Sequence, residues 1–121
     1  MNLNELKKMF SEVYDMYSYT RGHNYRPSDL ACMMVARYGM SKSKEFCRVY
    51  CMGLPNDGRI YPEMRKYLDD TPVDGSINRN NAYLMGNLVN IHPTHMNQLI
   101  LSLFETERSI LLATGNTNEL S

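Results

Sequence analysis

The stretch from Asn2 to Thr20, NLNELKKMFSEVYDMYSYT, decides the fold. Leu6, Met9/Phe10, Val13 and Met16/Tyr17 recur at helical spacing and share one apolar face. Asn2 and Glu5 stand at capping-box spacing, with Asn in place of the usual Ser or Thr. The same period returns after each break in the chain. Arg21-Gly22-His23-Asn24 interrupts it. Pro27 suits the first turn of a second helix, Leu30, Met33/Met34 and Tyr38 give its apolar face, and Gly39 stops it. Ser41 is the expected cap of a third helix, with Phe46, Val49/Tyr50 and Met52 as its apolar side and Gly53 after it. Pro55-Asn56-Asp57-Gly58 reads as a turn, and Pro62 opens a short helix through Leu68.

Asp69 to Gly75 reads as a polar loop. Residues 82–89 suit helix by Leu84, Met85, Leu88 and Val89, but Gly86 leaves helix and strand both open. Pro93 starts the longest pattern, through Met96, Leu99/Ile100, Leu103/Phe104, Ile110 and Leu111 to Thr114, with Gly115 as its stop. The expected fold is mainly α. It is a compact bundle of about five to six helices forming one domain over residues 1–115, followed by a flexible tail at 116–121. A small hairpin near residues 56–61 is compatible with the pattern.

No apolar run approaches the roughly 20 residues that a membrane span needs, and Met1 to Glu5 lacks the basic-then-apolar pattern of a signal peptide. The expectation is a cytoplasmic protein without a membrane partner. Three cysteines are an odd number and point to reduced thiols rather than a disulfide framework. Ten methionines fit core filling. Met- and Tyr-rich faces are compatible with a homodimer.

Net charge is zero, but its distribution is lopsided. Between Arg21 and Lys66 nine basic residues face four acidic ones, and the rest of the chain holds four and nine. A folded protein with one basic third has a candidate anion-binding face. Arg37, Lys42, Lys44, Arg48, Arg59 and Arg65 are its candidate contacts, with Tyr25, Tyr50 and Tyr61 supplying contact area. Tyr14, Tyr17 and Tyr38 fall on apolar faces and are expected to be part-buried.

Three constellations bear on chemistry. Cys47 and Cys51 are four apart on one helix and His92 and His95 three apart at a helix start, the ligand count of a tetrahedral zinc site. The usual Cys-x2-Cys knuckle is missing, so buried helix cysteines and a helix-capping His92 are the simpler reading. The helix pair around Gly39 invites a helix-turn-helix reading, with Lys42, Ser43, Lys44 and Arg48 meeting DNA. Against it, Glu45 stands where the second helix of that motif buries an aliphatic residue. Arg79-Asn80-Asn81 suits either an anion at a helix N-terminus or a plain cap, and the cap is preferred. No nucleophile motif or Walker-type phosphate loop is present, so the chain is read as leaning away from enzyme.

Tyr38-Gly39, Glu45-Phe46-Cys47-Arg48-Val49-Tyr50, Asp57-Gly58-Arg59-Ile60-Tyr61 and His92-Pro93 before an amphipathic helix follow one another in a recognisable order. Over roughly residues 30–104 this order resembles a domain of large polyvalent proteins from phages and conjugative elements of gut Firmicutes. That family offers no catalytic residues to carry over. The resemblance implies a setting in which small proteins act against host defence, including inhibitors of CRISPR nucleases. The resulting expectation is a non-enzymatic binding protein that blocks a host nuclease or its guide complex through the basic, Tyr-rich surface. The alternative is a small helix-turn-helix-like DNA-binding regulator.

Overall fold

The computed structural model describes residues 1–54 and 59–115. Six helices follow one another: α1 (Leu3–Gly22), α2 (Pro27–Tyr38), α3 (Met40–Met52), α4 (Pro62–Leu68), α5 (Arg79–Val89) and α6 (Pro93–Ala113). No strand occurs among the described residues. The turn at 55–58 and the tail at 116–121 lie outside them, and so does most of the expected hairpin. Residues 59–61 are irregular.

Local chemistry sets the boundaries. The Asn2 side chain accepts from the Glu5 backbone N–H at 2.9 Å and satisfies one of the open donors of α1. Pro27, Pro62 and Pro93 each occupy a first-turn position, where a missing N–H costs nothing. Gly39, at φ +85°, is the single residue between α2 and α3, and only glycine takes that backbone without strain. The third helix therefore starts at Met40, not at a Ser41 cap. Ser43 Oγ instead donates back to the Gly39 carbonyl at 2.8 Å. Residues 82–89 are helical within α5. Asn78 and Asn81 cap each other reciprocally, each backbone N–H donating to the other's side chain at 2.9 Å. Gly86 is no obstacle to this helix, and a Cβ there would meet the Tyr50 ring at an ordinary 3.7 Å, so its weak propensity is outweighed by the burial of Ala82, Met85 and Val89.

In the packing, α3 touches all five other helices, α2 lies most extensively on α6, and α1 on α5. The core runs through Leu6, Phe10, Val13, Leu30, Met34, Phe46, Val49, Met96, Leu99 and Leu103. Phe10 and Phe46 meet at 4.4 Å between centroids, joining α1 to α3. Met9, Met34, Met85 and Met96 are buried, as the core-filling reading expects. Tyr17 is buried and Tyr38 half-buried, but Tyr14 is 48% exposed, on the shoulder of the apolar stripe rather than inside it. Gly53 lies tightly against α5. A Cβ there would lie 2.5 Å from the Tyr83 backbone nitrogen, so α5 sits on the end of α3 only because residue 53 has no side chain. No helix of the described residues is long and apolar enough to cross a membrane.

Candidate functional site

Several cations of the basic segment have partners within the fold. Lys44 pairs with Glu107 at 3.3 Å and lies 4.7 Å over the Tyr67 ring. Arg48 Nη1 donates to the carbonyls of Leu68 (3.2 Å), Thr71 (2.7 Å) and Asp69, closing the C-terminal end of α4 with a positive charge. Arg65 is half-buried. Arg37 is exposed and pairs with Glu12 at 2.9 Å, beside the Tyr38 hydroxyl that donates to the same carboxylate. Lys42 and Arg59 are exposed.

The tyrosines divide in the same way. Tyr50 is buried, which corrects its expected role as contact area. Its hydroxyl accepts from the Ile91 N–H and donates to the Ile91 carbonyl, each at 3.0 Å, and so pins the α5–α6 connection. Burial pushes this phenol up to about 12. Tyr25 and Tyr61 are exposed. Of the nine candidate residues, Tyr50, Arg59 and Arg65 border one cavity.

The helix-turn-helix reading loses its recognition surface. Ser43 and Glu45 on the first turns of α3 are buried, and Lys44 is tied to α6, leaving Ser41 and Lys42 outside. Glu45 does occupy a buried position, and the Met1 ammonium neutralises it at 2.8 Å. The zinc candidates are not brought together. Among the described residues no group of three or more His, Cys, Asp and Glu side chains is placed to share a metal ion. Burial pushes the Cys47 thiol well up and Cys51 to about 12, which keeps both protonated. His92 caps α6, its ring nitrogen accepting from the Thr94 N–H at 3.2 Å. His95 meets Tyr17 edge-on, its pKa lowered by burial and then by Arg21 and His92.

The exposed feature that does come together is the corner between α1 and α2. The His23 ring stacks on Tyr19 at 4.0 Å and 21°. Tyr25 meets Tyr19 edge-on at 5.7 Å and lies 6.2 Å from His23. Tyr19 and Tyr25 are 47% and 46% exposed, so three rings form one open aromatic patch. Side-chain hydrogen bonding with Tyr19 raises the Tyr25 phenol above its ordinary value.

Backbone geometry holds the patch. His23 Nδ1 bonds the Tyr19 carbonyl at 2.8 Å, Asn24 turns the chain at φ 57°, and the Tyr25 N–H donates to the Thr20 carbonyl at 2.9 Å. Arg21 and Arg26 flank it, both exposed. Asp29, the nearby acid, accepts from the Arg26 backbone N–H at 2.7 Å. Sequence reasoning reached Tyr25 and missed its partners. The available signal was the four-residue step from Tyr19 to His23, off the apolar face of α1.

Comparison with family models, curated proteins and solved structures returns no match for this chain.

Proposed function

We propose that this protein acts by binding rather than by catalysis, and that the α1–α2 corner is where it meets its partner. The observation that carries the reading is the preformed contact of Tyr19, His23 and Tyr25 on the surface between Arg21 and Arg26. Open rings offer stacking faces, and flanking guanidiniums offer phosphate contacts. The partner that fits both is a nucleoprotein with exposed single-stranded bases. The resemblance of residues 30–104 to polyvalent proteins of mobile elements supplies the setting: a guide-loaded host defence nuclease, met in the host cytoplasm and inhibited by occlusion.

The test is co-elution of the purified chain with guide-loaded nuclease from the host, together with fluorescence anisotropy on a single-stranded oligonucleotide. Replacing both Tyr19 and Tyr25 by Ala is expected to weaken binding by about ten- to hundredfold. Binding to neither target by the unaltered chain overturns the reading. Equal binding by the double variant overturns the site.

A further inference from the structure

We propose that the contact between His95 and Tyr17 is an acid-operated latch, which joins α1 to α6 while the His95 imidazole is neutral and opens when that ring takes up a proton. The latch does not depend on what the α1–α2 corner binds. Helices α1 and α6 do not pack directly on one another. Side chains span the gap instead. The His95 ring, on the first turn of α6, meets the Tyr17 ring edge-on at 4.9 Å and 89°. The His92 N–H reaches the Tyr17 hydroxyl at a long 3.5 Å.

Three observations make this contact sensitive to acid. The Nε2 atom of His95 is buried and has no hydrogen-bond partner among the described residues. A neutral imidazole can leave one nitrogen without a proton, but an imidazolium carries N–H on both. Protonation therefore leaves a buried donor at Nε2 with nothing to accept from it. Next, the neighbouring charge has the wrong sign. The Arg21 guanidinium lies over the same Tyr17 ring, 5.6 Å from its centroid, and His92 stands at the head of α6. Burial disfavours a cation at His95 most, Arg21 and His92 add to it, and the ring is held below its ordinary 6.5. Finally, nothing offsets these effects. The helices that pack on α6, which are α2, α3 and α4, bring no further charge to bear on the ring. It forms no ion pair with a carboxylate among the described residues. His23 is the internal contrast: it is exposed and its Nδ1 has the Tyr19 carbonyl at 2.8 Å, so charging it strands no buried donor. The unfolded chain takes up the His95 proton near pH 6.5, and the folded chain resists it. The stability that this ring contributes is thus fully present above pH 6.5 and is lost as pH falls through it towards the lower native value. The loss falls on the last turns of α1, which carry Tyr19 and His23 to the corner.

The experiment titrates the His95 ring by NMR on the full chain, from about pH 7.5 to about pH 5. It also follows exchange of the His23 and Tyr25 amides, whose N–H groups donate to the Tyr19 and Thr20 carbonyls at the end of α1. The His95 midpoint is expected below 6.5. Exchange of both amides, corrected for its intrinsic pH dependence, is expected to accelerate by about tenfold or more as the ring is charged. Arg21→Gln removes one neighbouring cation and raises the midpoint. His95→Phe keeps a ring edge against Tyr17 without its nitrogens and abolishes the acceleration, whereas His23→Gln leaves it intact. A His95 midpoint at or above 6.5 overturns the latch, as does exchange in the unaltered chain that ignores acid. Acceleration that persists in folded His95→Phe, or vanishes in His23→Gln, overturns the assignment to His95. A midpoint unmoved by Arg21→Gln removes Arg21 from the latch. If His95→Phe does not fold, the midpoint of the unaltered chain and its shift in Arg21→Gln decide the matter.

Discussion

Helix α3 and the corner between α1 and α2 reverse what their residues would suggest. The α3 sequence, MSKSKEFCRVYCM, is polar, yet it is the one helix that touches all the others. The corner gathers three rings, yet two of them are about half exposed. The difference lies in partners. Each polar group that α3 carries inward meets an assigned counterpart: Glu45 the Met1 ammonium, Lys44 the Glu107 carboxylate, Arg48 three carbonyls, Ser43 a carbonyl of its own turn. Buried charge is tolerated when it is paired and hydrogen-bonded. The corner rings partner one another instead of the core, which leaves their faces to the solvent.

The comparison breaks most sharply at the end of α3. Gly53→Ala drives a Cβ into the α5 backbone, which cannot rotate away as a side chain would. The expected loss is about 3 kcal/mol, read as a drop in the urea midpoint. A midpoint within error of the unaltered chain would mean that α5 does not rest on α3 as described. Next comes Tyr50→Phe, which strips both the donor and the acceptor that satisfy buried Ile91. The expected cost is about 2 kcal/mol, because unsatisfied buried backbone groups remain. Arg48→Met keeps the aliphatic stem and removes the charge from the end of α4, with an expected loss of about 1 kcal/mol.

Alkali probes the same helix without mutation. Cys51 is raised from 9.0, and Tyr50 from 10.0, each to about 12 by burial. Above their ordinary values the unfolded chain releases these protons while the native chain holds them. Stability is therefore fully present below pH 9.0 and falls as pH rises towards about 12. Urea midpoints taken at rising pH should decline through this window, and Cys51→Ala should flatten part of the decline. A flat profile would place both groups nearer to water than α3 allows.

The helices were legible in the sequence because their signals are local. The Asn2–Glu5 cap, the prolines at 27, 62 and 93, and the apolar periods all act within one or two turns. The sites of Arg48 and Lys44 were not legible. Their partners stand at Leu68–Thr71 and Glu107, far along the chain, and no periodicity announces a contact of that kind. A run of cations read as a face was in part a set of internal clamps. Gly86 shows the same limit from the other side: local propensity left helix and strand open, and the burial of Ala82, Met85 and Val89 along one face accounts for the helix. At the corner Tyr25 was visible as one of many tyrosines. Its value came from Tyr19 and His23, joined to it by a turn whose geometry rests on Asn24.

The smallest stability effect sharpens the comparison furthest. Tyr25→Ala removes a ring that is 46% exposed and has no buried neighbour among its ring contacts, which are Tyr19 and His23. The expected change in stability is within about 0.5 kcal/mol, the range of ordinary surface substitutions. A ring that supports the fold would cost several times that, and Tyr50→Phe supplies the yardstick within the same protein. Melting curves of Tyr25→Ala and Tyr50→Phe, measured side by side, therefore separate a tyrosine held for structure from one held open for a partner. If Tyr25→Ala unfolds as readily as Tyr50→Phe, the corner is a structural clasp and its rings owe their order to the fold. If it melts like the unaltered chain, their mutual contact does no detectable work for stability and is left over for binding.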